Sequence, residues 1–294
     1  MNGSSIRGVA LSVLCVVALG GCAAGERRVV SELPSRQEAV VATDRLFEVA
    51  SQLLQEERYR EATRVYTQLV ELQPDNSAAK LGLAETYLAS GGIKPALAAF
   101  TDLSGVSEVK IAAMQGQGLS LILLGQLERG EELLRNVVAL EPSSWRAWNA
   151  LGRCYDSKKE WAKAAHAYDM ALKVRPDAYA VHNNVGVSLL AQKRHSEAEA
   201  KFIDALALKP NFETARNNLR FAIAMQGRYR EAFAGAGRQD LPDILNNVGY
   251  AAMLRGENDR AQAYFARALE ASPHFFEVAH QNLQRAKGPN ERAE

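Results

Sequence analysis

The chain has 294 residues, 47% of them hydrophobic and 23% charged. Its 35 Lys+Arg against 34 Asp+Glu leave a formal net charge of +1. That balance argues against nucleic acid as a partner, because phosphates favour a strongly basic face. The hydrophobic share suffices for a continuous core, and a repeat solenoid absorbs this length as one unit.

The N-terminus reads as an address. Residues 1–8 are polar with a single cation, Arg7, and Val9 to Leu19 is an apolar run too short to cross a bilayer as a helix. Leu19-Gly20-Gly21-Cys22 follows. A charged start, a short apolar run and a small-residue end predict a secretory signal peptide over 1–21, cut between Gly21 and Cys22. The tetrad resembles the bacterial lipobox, which implies a diacylglycerol on the Cys22 sulfur and an acyl chain on its amino group. Two or more chains anchor a protein stably, at about 0.8 kcal/mol per buried methylene. No other cofactor is expected. Ala23 comes next, and similarity to enterobacterial sorting then implies the periplasmic face of the outer membrane. Residues 22–42, with Gly25 and Pro34, read as the lipidated cysteine and a flexible tether. With Cys15 removed and Cys22 acylated, Cys154 is the only thiol left in the folded part, so no disulfide framework forms.

Beyond the tether a 34-residue interval runs through the chain. In the block from Trp145, position 4 is Trp148, 7 is Leu151, 8 is Gly152 and 11 is Tyr155. Positions 20, 24, 27 and 32 are Ala164, Tyr168, Ala171 and Pro176. These match the signature positions of the tetratricopeptide repeat (TPR), which the block resembles throughout. Starts recur near 43, 77, 111, 145, 179 and 213, and a seventh comes early, near 242. The missing residues fall at Ala234-Gly235-Ala236-Gly237, where two glycines predict a shortened second helix. The expectation is an all-α, right-handed α-solenoid of about seven helix pairs over 43–275, a cap helix over 276–288 and a disordered tail over 289–294. Small residues at 8, 20 and 27 let paired helices approach, and large ones at 4, 7, 11 and 24 fill the gaps between them.

Catalytic spacings are missing. No His-Glu-x-x-His, Gly-x-Ser-x-Gly, phosphate loop or Cys-x-x-Cys occurs, so no enzyme, metal or small-molecule substrate is expected. Gly116-Gln117-Gly118 sits at positions 6 to 8, where close helix packing accounts for it. The inference falls instead on the groove, lined in such repeats by positions near 2, 5, 6, 9 and 12. Positions 5 and 6 carry Asn183-Asn184, Asn217-Asn218 and Asn246-Asn247, preceded by Asn149 at position 5. A side-chain amide both donates and accepts, so it can pair with any peptide backbone. The pattern resembles the asparagine ladder of O-linked N-acetylglucosamine transferase, which implies peptide clamping by Asn184, Asn218 and Asn247. The alternative is that these amides satisfy groups within the fold. Arg146 and Arg153 add positive charge beside Asn149, as in carboxylate-clamp grooves, although the full clamp pattern is absent. Val187, Phe221 and Tyr250, all at position 9, would add an apolar strip.

From Gly227 to Lys287 the chain is similar to the TadD-type lipoproteins of the tight-adherence (Flp) pilus system. The similarity rests on Gly-Arg-Tyr-Arg-Glu-Ala, the shortened helix, Asp-Leu-Pro and Asn-Asn-Val-Gly-Tyr-Ala-Ala-Met-Leu-Arg-Gly. It implies a pilotin-like assembly factor whose partner is a secretin or another pilus or secretion component. A type IV pilus pilotin, or an adaptor recruiting peptidoglycan hydrolases or proteases, stands as the alternative.

Overall fold

A computed structural model describes residues 36–274 and 276–287, with side chains from Thr43 onward. The signal peptide, Gly21, Cys22, most of the tether and the tail at 289–294 lie outside the described residues. Fifteen helices and no strand occur among the described residues. They pair as α1 (Arg36–Gln55) with α2 (Tyr59–Leu72), α3 (Ser77–Ala89) with α4 (Ile93–Leu103), and α5 (Lys110–Leu123) with α6 (Leu127–Leu140). Next come α7 (Trp145–Ser157) with α8 (Trp161–Val174) and α9 (Tyr179–Ala191) with α10 (His195–Leu208). The last pairs are α11 (Glu213–Met225) with α12 (Tyr229–Ala232) and α13 (Leu241–Leu254) with α14 (Asn258–Ala271), followed by α15 (Glu277–Ala286). α1 starts at Arg36, so the last residues of the expected tether are helical. α12 has only four residues, the shortening that Gly235 and Gly237 foretold.

The repeat chemistry explains the stacking. Ala62, Ala96, Ala164, Ala198 and Ala261 at position 20 are fully buried. Against them sit the position-24 side chains Tyr66, Phe100, Leu134, Tyr168, Phe202 and Phe265, all 0–2% exposed. Glycines admit these knobs: a Cβ on Gly152 would stand 2.4 Å from the Tyr168 ring, and one on Gly116 2.4 Å from Phe100. The Gly116-Gln117-Gly118 run is therefore a packing feature. The turn at position 15 needs positive φ in every repeat, supplied by Gly91, Gly125, Gly227 and Gly256 but also by Glu57, Lys159 and Lys193.

First helices of successive repeats pack on one another, α3 on α5, α5 on α7, α7 on α9, α9 on α11 and α11 on α13, whereas the second helices stand farther apart. A stack that is tighter on one side must curve toward it, so the first helices line a concave face. In repeats four, five and six, position 4 staples the repeat to the one before. Trp148 Nε1 donates to Pro142 O at 2.9 Å, and Arg216 Nη2 to Pro210 O at 2.7 Å. His182 Nε2 lies 2.9 Å from Pro176 O, and because a carbonyl only accepts, that nitrogen carries the proton. The curvature brings distant repeats together: Lys209 Nζ lies 3.3 Å from Glu57 Oε1, 152 residues away, and sits over the Tyr179 ring at 4.8 Å. The cap helix α15 buries Ala279, Asn282 and Ala286 against α13 and α14.

Candidate peptide-binding groove

The concave face has two chemically distinct stretches. Across repeats two to four, α3, α5 and α7 enclose a cavity of about 390 Å³ lined by Leu88, Leu119 and Leu123 and, from the charged side, by Glu85, Arg146 and Arg153. Asn149 opens onto the same cavity. Arg146 is exposed, with its guanidinium 4.9 Å over the Trp145 ring. Glu85 reaches water yet stands within a concave wall of protein, which pushes its carboxyl pKa up against the pull of Arg146. Sequence reasoning passed over Glu85, although it shares position 9 with Arg153, and the pairing of opposite charges at one register was available to find it.

The late repeats give the amides partners inside the chain. Asn184 Nδ2 donates to Asn149 Oδ1 at 2.9 Å, Asn218 Nδ2 to Asn183 Oδ1 at 2.9 Å, and Asn282 Nδ2 to Asn246 Oδ1 at 2.9 Å. Longer contacts join neighbours, Asn183 Nδ2 to Asn184 Oδ1 at 3.5 Å and Asn246 Nδ2 to Asn247 Oδ1 at 3.4 Å. Asn183 and Asn246 are buried. The expected row of amides facing a ligand is thus first a row of bonds between repeats, because adjacent first helices stand close enough for position 5 of one to meet position 6 of the next. Asn217 remains exposed, accepting only from Arg220 Nη1 at 3.4 Å. Val187 and Tyr250 are 44% and 38% exposed, and Tyr250 stacks on Phe221 with ring centres 6.3 Å apart. The strip at position 9 therefore stands open along the groove.

These bonds set separate expectations for single variants. Asn218→Ala strands the buried Asn183 Oδ1 and should cost about 1–3 kcal/mol. Asn247→Ala loses only a long contact and should change stability by no more than about 0.5 kcal/mol. Urea denaturation of both checks this. Equal losses would mean that the amide pairs carry no weight in the stack.

Cys154 is buried, and its Sγ–H donates to Leu127 O at 3.5 Å. Burial, followed by Glu131, pushes the thiol pKa up to about 11, the opposite of what a nucleophile needs. Among the described residues no cluster of His, Cys, Asp or Glu could hold a metal ion. No described helix is long and apolar enough to cross a membrane.

A curved stack of helix pairs with apolar, amide and guanidinium groups along its inner face defines a helical-repeat scaffold for protein interaction. Tetratricopeptide-repeat family models match residues 53–105, 116–172, 159–211 and 242–275, together more than half of the chain. The chain is a tetratricopeptide-repeat protein. Among curated proteins nothing matches it. Of solved structures, the human IFIT1 dimer with m7Gppp-AAAA is similar over 83% of this chain and 63% of its own, with 18% identity and a TM-score of 0.67. The APC/C hetero-tetramer Cut9-Hcn1 aligns over 86% of this chain and 52% of its own, with 16% identity and a TM-score of 0.63. A tetratricopeptide repeat protein from Parabacteroides merdae covers 84% and 99%, with 16% identity and a TM-score of 0.52. The chain thus spans less than two thirds of the first two neighbours, and these likenesses concern the fold alone.

Proposed function

We propose that this protein is a lipid-anchored scaffold at the periplasmic face of the outer membrane that captures segments of client proteins in its concave groove. Its clients are components of a tight-adherence pilus or related secretion machinery, a secretin foremost. The observation that carries the capture step is the cavity of repeats two to four, where Leu88, Leu119 and Leu123 offer apolar contact and neither Arg146 nor Arg153 forms an ion pair among the described residues. An amphipathic segment bearing an acidic group complements that surface. The anchor rests on Leu19-Gly20-Gly21-Cys22, and the pilus assignment on the similarity from Gly227 to Lys287.

Two experiments test these parts. Cys22→Ser is expected to move the protein from the membrane pellet to the soluble periplasmic fraction, and a variant that stays in the pellet overturns the anchor. Co-purification of the native lipidated form should recover secretin or pilus components. Recovery of cell-wall hydrolases without them overturns the pilus assignment in favour of an adaptor.

A further inference from the structure

Position 8 is small in six repeats: Ala50, Ala84, Gly118, Gly152, Gly186 and Gly249. Repeat six places Arg220 there instead. Room exists because α12 stops at Ala232 and position 24 is Ala236 rather than a large side chain. Arg220 is 7% exposed, and among the described residues its Nε has no hydrogen-bond partner and no carboxylate lies within 4.0 Å of it. Among the described residues its one hydrogen bond is Nη1 to Asn217 Oδ1 at 3.4 Å, a long bond to a neutral amide that is itself exposed on the concave face. Burial works against the charge and Arg216 adds to that, while Asp240 and Glu213 oppose both from a distance. A guanidinium keeps its proton in any protein setting, and a covered cation without a partner is destabilising.

We propose that Arg220 is the docking point for a carboxylate of the captured client segment, reached from the concave face past Asn217 and beside the Phe221–Tyr250 stack. The site fits a carboxylate better than a phosphate. A single guanidinium fork matches one planar monoanion, and Asp240 and Glu213 already bring negative charge nearby. The second cation, Arg216, is committed to Glu213 and to Pro210 O. The stacked rings at position 9 offer apolar surface to the residue that bears the carboxylate, so an aromatic or aliphatic C-terminus is the fitting class of ligand. The proposal rests on the groove reading above and adds the chemistry of the segment.

Matched probes test it: N-acetyl-phenylalanine as the free acid, and N-acetyl-phenylalaninamide. They are titrated into the ¹⁵N-labelled full chain in detergent micelles and followed by NMR at the Arg220 Nε–H and at the neighbouring Asn217 side-chain amide. The acid is expected to shift that resonance saturably and the amide to leave it in place. Arg220→Met should abolish the acid-induced shift of the Asn217 side-chain amide while the melting temperature holds or rises, because an unpaired buried charge gives way to an apolar chain of similar length. Should that variant fail to fold, Arg220→Lys keeps the charge but not the fork, and at least a several-fold weaker acid response is expected. Equal shifts with acid and amide, no shift at all, or an undiminished acid response in the Arg220 variants overturns the proposal in favour of an internal role for Arg220. If client segments bind while acid and amide behave alike, this inference fails and the groove reading stands. If the acid shifts Arg220 and client segments do not bind, the groove reading fails alone.

Discussion

Phe202→Ala is expected to destabilise the protein by about 3–5 kcal/mol, read as a loss in urea denaturation followed by circular dichroism. Phe202 is 0% exposed and packs with Leu189, Ala198 and Ala222, flanked by Val185, Leu190 and Leu219. Its ring presses on Gly186, where a Cβ would stand 2.5 Å away. That glycine has no side chain to relax into the void, which puts the cost toward the upper end of the range. In a repeat stack each unit is stabilised by its neighbours alone, so the void should also uncouple the repeats before and after α10. Two unfolding steps should then replace one. A loss below about 1 kcal/mol would show that the knob at position 24 does not hold the stack.

Gly152→Val should cost about 2–4 kcal/mol, by overpacking and by a broken bond. The added Cβ would meet Tyr168, which is 2% exposed and whose Oη donates to Asp156 Oδ2 at 2.7 Å. Asp156 Oδ1 in turn accepts from Ser188 Oγ at 2.6 Å, tying α7 and α8 to α9. Pushing the ring aside therefore breaks a link between repeats as well as a contact. Gly125→Ala is the control. Its φ is +78° and nothing lies within 4 Å of the added carbon, so only backbone strain of about 1 kcal/mol is at stake. Melting temperatures of the two variants compare them directly, and equal shifts would sink the steric account of position 8.

The repeats were legible because their determinants are local and recur at a fixed step: Ala164, Tyr168 and Pro176 announce α8 without reference to anything distant. The short α12 was legible for the same reason, from Gly235 and Gly237. The amide pairs were not. Asn149 meets Asn184 across 35 residues, Asn183 meets Asn218 across 35, and Asn246 meets Asn282 across 36. Each pairing is offset from the 34-residue step, so stacking the repeats in register on paper sets every asparagine beside its own equivalent and hides its true partner. Arg220 escaped for a related reason, since a cation at position 8 makes sense only once the helix that should cover it is missing. The start of α1 at Arg36 was marked in the sequence by Ser35 and Glu38, spaced as a capping box, but without a repeat position to anchor it the segment reads as tether.

The meeting of Glu57 with Lys209 bears on the mechanics of the coil. Drawing together the ends of a flexible 152-residue segment would cost about 4 kcal/mol. An exposed ion pair returns about 0–1 kcal/mol, too little to bend anything. The two residues meet because each helix pair is a wedge, thicker on the outside, and the wedges have already summed to the required angle. The pair is a gauge of pitch and not a brace. In 1 M salt, where charges are screened within about 3 Å, it should part while the pitch holds, leaving the width of the groove set by the wedges alone.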